Sequence, residues 1–382
     1  MVFFGIAILY RVSNAPHHYR PYLLFMTSLS NERRHCAIRM FLNKVFQTNL
    51  KKFPGTMPVS LERSHLRELF GIHPDTLREY ALALKADGVR YLIVFLCVDS
   101  EFLCARVDRR FQIHILSATQ LIHKDAYEGT VLDVEAVPVS DTQQLLLVFD
   151  LIAVHGNVTT KMFYNDRMEI ASIFMGKTGL PLLDIIDRLF PDEYPSNHPD
   201  RLMALTPNLQ IKVKKIFRTQ FIRRVVDSPL FKNDGYVWTL VRTAYSMFRT
   251  NNMASVKWKR YHTLDLFVTH AGPTQDRQSI EWPPLDGIPD RYRPRNGKYL
   301  LFTEHNNVRV LLATGNCDQD ITNKAVHECQ WMDDTGWTIL QTRDDKTTPN
   351  MLRTTTGTIR SVNENITLEE LHKCVKIPNK NG

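Results

Sequence analysis

The chain has 382 residues, of which 43% are hydrophobic and 23% charged, and this length favours two domains with ordinary globular cores. Its formal net charge of +8 suits a polyanionic partner such as RNA or a nucleotide polyphosphate. There is no run of about 18 apolar residues, and the six cysteines show neither a C-x-x-C pair nor a zinc spacing. We therefore expect no membrane span, disulfide framework or zinc site, and an intracellular protein with reduced cysteines.

Residues 1–48 carry no pattern that assigns them a role, and we treat them as an N-terminal extension. The apolar opening Val2–Tyr10 is short and lacks basic residues before it, so we expect neither a signal peptide nor an anchor. Turn residues over Phe53–Leu61 lead into a polar segment, Glu62–Phe70, which we predict to be helical.

Lys85 lies just before a predicted turn. Asp87 and Gly88 favour a tight turn in which Gly88 is able to take φ > 0, and the apolar run Tyr91–Leu96 follows as a strand. Leu77–Leu84 has helical propensity, but we predict a strand, because a rigid strand edge can hold a reactive lysine in a pocket and propensity is a weak guide. Taken alone, the same pattern also describes a solvated turn.

The next segments predict a sheet-rich domain. Strand-like runs occur at Tyr91–Val98, Phe102–Val107, Phe111–Leu116, Thr130–Val137 and Gln144–Ile152. The first three are close enough together to form an antiparallel meander. Helical spacing follows at Lys161–Phe174 and Leu180–Leu189, and Pro191–Pro199 predicts a loop.

Basic residues recur in the rest of this domain. Ile211–Arg224 interleaves at least five lysines and arginines with apolar residues, which fits a solvated helix face and a phosphate-facing surface equally well. Asn233–Trp238 predicts a turn into a strand, and Ser255–Arg260 predicts a strand on which Lys257 and Lys259 share one face. Two such ammonium groups, about 7 Å apart along a strand, can hold a phosphate, although isolated pairs also occur on solvated faces.

The composition changes from about His262. Five short strands are predicted at Leu264–Val268, Lys298–Phe302, Val308–Leu312, Ala325–Cys329 and Trp337–Gln341. Five short strands over roughly 80 to 100 residues are typical of a small barrel of the OB type. The tail Thr367–Leu371 begins with a capping box and predicts a terminal helix.

Several motifs between Phe53 and Val375 occur in the order found in the covalent nucleotidyltransferases, and the chain resembles these enzymes. Within them it resembles the mRNA guanylyltransferases (capping enzymes), most of all the compact single-function viral form. The segments that carry the resemblance are Lys85–Arg90 (K-x-D-G-x-R), Leu132–Glu135 (L-D-G-E, with Val134 in place of glycine), Phe149-Asp150, Asp234–Val237 (D-G followed by two aliphatic positions, with Tyr236 as a departure), Lys257–Lys259 (K-x-K) and Thr263–Asp265.

The most specific match lies near the C-terminus. Trp337 together with Arg343–Asn350 resembles W-x5-R-x-D-K-x-x-P-N, a signature of capping enzymes that ATP-dependent DNA ligases lack in this form. His327–Cys329 likewise resembles a barrel strand of capping enzymes. Because these motifs follow one another in family order, chance co-occurrence is negligible.

The resemblance implies an α+β fold. It predicts a nucleotidyltransferase domain, made of ATP-grasp-like antiparallel sheets with flanking helices, followed by a C-terminal OB-fold β-barrel. We place the nucleotidyltransferase domain at 49–260 and the barrel at 261–365, after the extension of residues 1–48. The C-terminal helix falls within 366–382, and we expect it to pack back on the nucleotidyltransferase domain.

The resemblance also implies a two-step reaction. The Lys85 amine attacks the α-phosphate of GTP, pyrophosphate leaves, and a lysyl-GMP phosphoramidate forms. The 5′-diphosphate end of an RNA then attacks this intermediate and gives the GpppN cap. A free lysine has a pKa of about 10.4 and is inert while protonated, so a lysine nucleophile needs nearby cations and partial burial.

The resemblance assigns the site residues as follows. The catalytic group is Lys85, Lys257, Lys259, Arg343 and Lys346. The nucleotide-binding group is Asp87, Gly88, Arg90, Arg109, Glu135, Phe149, Lys214, Asp265 and Asp345, with Lys215 nearly as good a candidate as Lys214 for reading guanine. Glu135 and Arg90 are candidates for the ribose hydroxyls, and Phe149 offers a stacking face for the base. Asp234 and Glu135 are hard oxygen ligands suited to Mg²⁺ or Mn²⁺.

Arg343 and Lys346 lie far from Lys85 in the sequence. By resemblance they reach the β- and γ-phosphates only when the two domains close, and the domains then open to release pyrophosphate and admit RNA. The implied partners are GTP and 5′-diphosphate RNA, with an RNA triphosphatase, a cap methyltransferase and RNA polymerase as separate chains. The implied location is the nucleus or a viral replication site.

Two alternatives stay open. An ATP-dependent polynucleotide ligase would share Lys85, Glu135, Lys257 and Lys259 but would not need the signature at Arg343–Asn350. A non-catalytic RNA-binding module would use a basic cleft and a barrel, which explains the net charge but not a complete lysine-based set.

Overall fold

The computed structural model describes residues 29–55, 57–71, 79–116, 124–176, 203–206, 208–225, 227–228, 230–247, 253–272, 282–344 and 346–375. Within these ranges the chain forms two sheets, a closed barrel and several helices. The helices are α1 (Asn31–Phe46), α2 (Arg63–Phe70), α3 (Tyr164–Gly176), α4 (Leu352–Glu364) and α5 (Leu368–Cys374). The predicted fold class, α+β with nucleotidyltransferase sheets and an OB-type barrel, is confirmed.

The larger sheet carries the predicted meander. Its strands, in spatial order, are β5 (Ile113–Leu116), β4 (Glu101–Val107), β3 (Val89–Val98), β6 (Thr130–Pro138), β7 (Gln144–Val154), β10 (Leu209–Val213) and β9 (Met203–Thr206), with β8 (Asn157–Val158) added to β7. The neighbours are antiparallel except for β7 and β10, which run parallel. The two faces are apolar, and each packs against a helix.

Helix α1 covers one of these faces, which gives part of the N-terminal extension a structural role that the sequence did not reveal. Ile38 and Leu42 are fully buried there, in the same cluster as Leu92 and Val94 of β3. Helix α3 covers the opposite face through buried Ala171 and Met175. The predicted helix at Leu180–Leu189 and the loop at Pro191–Pro199 lie outside the described residues.

The smaller sheet contains the strand that carries Lys85. Its order is β1 (Val59–Ser60), β13 (Ser255–Lys259), β12 (Asn233–Leu240), β2 (Tyr80–Ala86) and β11 (Phe217–Arg218). The prediction of a strand before Lys85, made against the local helical propensity, is confirmed by β2. Burial overrides the propensity here, since Leu82 and Leu84 pack with Trp238 in the core of this sheet. Ile211–Arg224 is not a helix face: it forms parts of β10 and β11 and a 3₁₀ turn, Thr219–Arg224.

The barrel contains the five strands predicted for it. In closing order they are β14 (Thr263–His270), β15 (Tyr299–His305), β16 (Val308–Asn316), β18 (Gly336–Thr342) and β17 (Ala325–Met332), which pairs again with β14. Helix α4 follows the barrel and was not predicted. Its Ile359 is fully buried in the barrel core beside Trp337, whose Nε1 donates to the Tyr292 carbonyl at 2.8 Å.

The C-terminal segment lies against the smaller sheet. Thr367 caps α5 by accepting a hydrogen bond from the Glu370 amide, as the capping box predicts. Ile366 and Leu371 pack in the core of this sheet, and Trp258 Nε1 donates to the Ile366 carbonyl at 2.7 Å. The predicted domain boundaries themselves stay predictions. No helix in the described ranges is long and apolar enough to cross a membrane.

The hydrogen bond from Trp258 is buried, so its loss is expected to destabilise the protein. In Trp258→Phe the Ile366 carbonyl loses its partner in a buried environment, and the free energy of unfolding should fall by about 1–3 kcal/mol. Trp331→Phe is the matched control, since Trp331 Nε1 donates to the exposed Asp333 and water can replace it. Urea unfolding of both variants tests this, and equal losses would contradict it.

Candidate active site

Lys85 and Lys259 leave the smaller sheet on the same face. In the ladder Lys85 pairs with Gly235 of β12, and Gly235 pairs with Lys259 of β13, so the two lysines flank a position that has no side chain. A Cβ atom at Gly235 would lie 2.0 Å from the Trp258 carbonyl oxygen, which explains why glycine occupies this position. The two ammonium groups are therefore held close together by the strand register.

Asp234 occupies the space between these two lysines. A register shift between Asn233 and Gly235 bends β12 at this point, as a β-bulge does when it re-aims a side chain. Lys85 Nζ donates to Asp234 Oδ1 at 2.7 Å, and Lys259 Nζ lies 3.0 Å from Oδ2. Burial acts to raise the pKa of Asp234, but Lys259 and Lys85 outweigh it and lower this pKa, so the carboxylate is ionised at neutral pH.

Two further lysines face the same cleft. Burial lowers the pKa of Lys257 to about 8, and the positive charges of Lys259 and Lys85 act in the same direction. Burial also lowers the pKa of Lys214 to about 8, while Glu135 acts against it. Lys214 Nζ lies 5.9 Å from the centroid of the Phe149 ring.

The structure separates the two candidates for the lysine that reads guanine. Lys214 is half-buried beside Phe149, whereas Lys215 is exposed. Successive side chains along an extended chain point to opposite sides, so only one of the two can face the cleft. Lys214 is therefore the one that lies at the candidate base site, and its role in reading guanine stays a prediction.

The opposite wall of the cleft is built on Arg90. Its Nε and Nη2 donate to the two carboxylate oxygens of Asp133 at 2.8 and 2.6 Å, and Tyr245 OH donates to the same carboxylate at 2.6 Å. Burial acts to lower the pKa of Arg90, but Asp133 outweighs it and this pKa is raised. The guanidinium lies 5.2 Å from the Phe53 ring centroid and 5.1 Å from that of Phe149. Arg90 is thus fixed between two aromatic rings.

Asp133 and Tyr245 are residues that the sequence analysis missed. Asp133 was quoted only as part of a motif, yet its side chain is fully buried and is the anchor for Arg90. A single aspartate inside an apolar strand was the available signal, since a buried carboxylate needs a partner. No sequence signal pointed to Tyr245, which comes from a loop that the fold brings to the sheet.

Glu135 faces the cleft from β6, directly opposite Arg90 in the ladder. Burial raises the pKa of Glu135, and Lys214, Lys85 and Arg90 act to lower it. The preceding Val134, which replaces the family glycine, is fully buried in the core on the other face of the sheet. The valine is accommodated there, and the carboxylate keeps its place in the cleft.

The turn after Lys85 differs from the prediction in one respect. Gly88 does not have the positive φ that we expected, since it is not among the residues in that region of backbone space. A Cβ atom at this position would instead lie 2.3 Å from the Ala136 carbonyl oxygen, so the glycine is required by the close approach of β3 to β6. Asp87 is exposed. It lines a second cleft of about 1050 Å³, together with Asp227 and Lys232, and this cleft does not include Lys85 or the lysines around it.

The predicted barrel residues form a group of their own. Arg343 Nη1 donates to Asp265 Oδ1 at 2.8 Å, and Lys346 Nζ donates to Oδ2 of the same carboxylate. Asn350 holds the Asp265 backbone from both sides, by accepting from its amide and by donating to its carbonyl. Asp345 lies outside the described residues. The structure thus brings Arg343 and Lys346 together on Asp265 rather than around Lys85.

Arg109 lies at the edge of the cleft. Its side chain is exposed, with Nη2 3.7 Å from the sulfur of Met57, and its charge contributes to the lowered pKa of Lys257. This position is compatible with contact to a nucleotide phosphate, which stays a prediction.

The carboxylates fit a divalent cation only in part. Asp234 is ionised and Glu135 is a hard oxygen ligand, which suits Mg²⁺ or Mn²⁺. However, both oxygens of Asp234 are engaged by lysines, and no group of three or more His, Cys, Asp or Glu side chains in the described ranges could hold a metal ion. A cation here would need further oxygen ligands, such as those of nucleotide phosphates.

The fold and the site together define a class of protein. A strand-borne lysine paired with a carboxylate, a K-x-K strand in the same sheet and a following five-stranded barrel are the features of a lysine-dependent nucleotidyltransferase. Two family models match the chain: "mRNA capping enzyme, catalytic domain" over residues 25–261 and "mRNA capping enzyme, C-terminal domain" over residues 251–372. The chain belongs to the mRNA capping enzyme family.

Curated relatives are similar over most of their length. The chain is 25% identical to the mRNA-capping enzyme subunit alpha of Neurospora crassa, over 84% of this chain and 83% of the relative. It is 23% identical to that of Schizosaccharomyces pombe, over 88% and 83%, and 22% identical to that of Saccharomyces cerevisiae, over 85% and 79%. These three relatives are fungal, and the resemblance to a viral form stays a prediction.

Solved structures with some similarity include two DNA ligases. Mycobacterial DNA ligase D complexed with ATP and MES has a TM-score of 0.36 and 13% identity, covering 75% of this chain and 98% of that one. The ATP-dependent DNA ligase of bacteriophage T7 in complex with ATP has a TM-score of 0.34 and 11% identity, covering 76% and 98%. TM-scores of this size are too low to support a conclusion.

Removing the anchor of Arg90 should destabilise the protein strongly. Asp133→Asn leaves a guanidinium without its counter-charge in the interior, and loss of one partner of a buried ion pair costs about 3–5 kcal/mol. Asp141→Asn, at an exposed position, is the control and should change the free energy of unfolding by less than about 0.5 kcal/mol. Chemical denaturation measures both, and a loss below about 1 kcal/mol for Asp133→Asn would contradict the anchoring role.

Nucleotide binding should weaken as the pH rises through about 8. Lys214 and Lys257 have pKa values of about 8, so both are charged below this pH and lose that charge above it. Titration of GTP into Lys85→Arg, which cannot react but keeps the positive charge beside Asp234, should show log Kd rising by up to about one unit per pH unit for each lysine. Adding Lys257→Arg keeps that charge and should flatten the rise. An affinity that does not change with pH would exclude a charged contact of either lysine with the nucleotide.

Proposed function

We propose that the chain transfers GMP from GTP to the 5′-diphosphate end of RNA through a phosphoramidate on Lys85. The observation that carries this proposal is the placement of Lys85 Nζ, 2.7 Å from Asp234, in a cleft that also holds Lys257, Lys259 and Lys214. An amine becomes nucleophilic only when it is deprotonated, so Lys85 must give up its proton before it attacks. Membership of the mRNA capping enzyme family supports GTP and RNA as the substrates.

In the first step, the neutral amine of Lys85 attacks the α-phosphorus of GTP. A nitrogen–phosphorus bond forms, the bond between the α-phosphorus and the bridging oxygen breaks, pyrophosphate leaves, and one amine proton is released. Lys257 and Lys259 lie on β13, which β12 separates from the strand of Lys85, and they supply positive charge where negative charge develops on the transferred phosphoryl group. The pairing of Lys85 with Asp234 fixes the direction of the side chain before the nucleotide arrives.

The base and the ribose belong at the opposite wall. The Phe149 ring has Arg90 on one side and Lys214 near it, which makes a site for a planar base with a cation at its edge. Arg90 and Glu135 are the groups that face the ribose. Because Arg90 is tied to Asp133, it acts as a fixed wall and not as a mobile contact.

In the second step, a terminal oxygen of the RNA 5′-diphosphate attacks the phosphorus of lysyl-GMP. A new oxygen–phosphorus bond forms, the nitrogen–phosphorus bond breaks, and the nitrogen takes up one proton, which regenerates the neutral Lys85 amine. Arg343 and Lys346 act in the first step. When the barrel closes on the nucleotidyltransferase domain, the β- and γ-phosphates of GTP compete with Asp265 for these two cations. Separate chains would supply the RNA triphosphatase and cap methyltransferase activities, and the nucleus is the proposed location.

A divalent cation belongs to this proposal as a bound cofactor. Asp234 and Glu135 would hold it together with phosphate oxygens of the nucleotide. When bound, Mg²⁺ or Mn²⁺ supplies charge neutralisation on the phosphates.

Labelled nucleotides test the proposal. With α-³²P-GTP and Mg²⁺ or Mn²⁺, the wild type should acquire an acid-labile protein label that α-³²P-ATP does not give. Lys85→Ala and Lys85→Arg should both remain unlabelled, and the arginine keeps a cation beside Asp234 but is not a nucleophile. Addition of 5′-diphosphate RNA should move the label to the RNA, whereas 5′-monophosphate RNA should not.

The other results identify the alternatives. Label from ATP alone would indicate the polynucleotide ligase, and label from neither nucleotide, on a folded protein that binds RNA, would indicate the non-catalytic module. Label on Lys85→Arg would show that another residue is the nucleophile.

A further inference from the structure

Basic residues are concentrated on and beside α1, outside the lysine cleft. Asn31–Lys52 and Asp108–Arg110 together contain eight lysines and arginines but only two acidic residues. The nucleotide-binding motifs assign a role to Arg109 alone among these cations. The apolar side of α1 is buried in the core, so its basic side has a fixed direction on the surface.

Helix α1 meets the turn after β4 at one defined contact. The Arg39 guanidinium lies 5.1 Å from the centroid of the Phe111 ring, in the arrangement of a cation–π pair. Phe111 is buried and has a left-handed backbone with φ of 63°. The Asp108 carboxylate fixes this turn by accepting from the Arg110 amide at 2.9 Å and the Gln112 amide at 2.8 Å. The turn therefore presents Arg109 and Arg110 outward, where both are exposed.

A line of contacts continues from this turn into the cleft. Arg109 Nη2 lies 3.7 Å from the Met57 sulfur, which lies 4.0 Å from Arg90 Nη1. Arg90 in turn lies over the Phe149 ring at the candidate base site. We call the line formed by Arg39, Phe111, Arg110, Arg109 and Met57 the α1 track. It joins the exposed basic side of α1 to the site where the nucleotide would bind.

The α1 track has the properties of a surface for single-stranded RNA. Such surfaces combine positive charge along the backbone with aromatic or guanidinium planes, and arginine matches phosphate oxygens with two donors at once. The second substrate has its reactive end at Lys85, so the nucleotides behind that end must lie on protein surface beyond the cleft. We propose that the α1 track binds the phosphates of the RNA that follow the 5′-diphosphate end. This inference rests on the proposed function, whose second step it deepens.

The test uses the double variant Arg39→Glu/Arg110→Glu in the full chain. Lysyl-GMP formation from GTP should be unchanged, which also shows that the variant is folded. The KM for a 5′-diphosphate RNA of about 20 nucleotides should rise about tenfold or more, while transfer to a 5′-diphosphate dinucleotide should be unchanged. The RNA association constant should also depend less on salt. Each lost phosphate contact reduces the steepness of log K against log salt by about 0.7, so the two substitutions together should reduce it by about 1.4. Arg39→Gln/Arg110→Gln should show a smaller change in the same direction.

Arg33→Glu provides a matched control on the same helix. It makes the same charge change six residues earlier, about 120° around α1 from Arg39, and should leave the KM for the long RNA unchanged. An equal loss in this control, or an equal loss with the dinucleotide, would overturn the α1 track. Unchanged transfer to the long RNA would also overturn it and would leave an acidic protein as the partner of this surface.

Fluorescence anisotropy with a labelled RNA of about 20 nucleotides separates this inference from the proposed function. The measurement needs no catalysis, so it tests the α1 track even if the wild type forms no lysyl-GMP. Weaker binding by Arg39→Glu/Arg110→Glu than by Arg33→Glu supports the track, and equal binding by the two refutes it.

Discussion

The pairing of Asp234 with Lys85 and Lys259 is the interaction on which the cleft depends. Four lysines approach one another here, and their repulsion would be costly without a carboxylate between the strands. The bulge between Asn233 and Gly235 brings the carboxylate of Asp234 into the cleft, and Gly235 leaves space beside it. A single local feature of β12 therefore sets both the charge balance of the cleft and the direction of the Lys85 side chain.

The order of the chain and the strand pattern allowed much of the fold to be predicted. The meander and all five barrel strands were predicted from strand-like apolar runs, whereas the strand that carries Lys85 was predicted from the need to hold a reactive lysine on a rigid element. Helices α1 and α4 were missed. The apolar residues of α1 are interrupted by arginines, and those of α4 are sparse because threonine and serine fill part of its buried side.

The site was predictable where function demands particular residue types at fixed spacing, as at Lys85 or Lys257. It was not predictable where packing selects the residue. Gly88 was predicted for its backbone freedom, but it is needed because β3 passes close to Ala136, and Asp133 is needed because Arg90 must be neutralised inside the protein. Tyr245 reaches the same carboxylate from more than a hundred residues away, and such a contact exists only once both sheets have formed.

The two halves of the chain repeat one electrostatic arrangement. Asp234 lies between Lys85 and Lys259 in the nucleotidyltransferase sheet, and Asp265 accepts from Arg343 and Lys346 in the barrel. In each half a carboxylate is paired with two cations that carry charge complementary to a triphosphate. In the proposed reaction, a nucleotide would bring several negative charges, and once the barrel approached it would compete with both aspartates. Exchange of one anion for another changes the net charge of each group little, so the cations can be held in place before the substrate arrives and still be available to it.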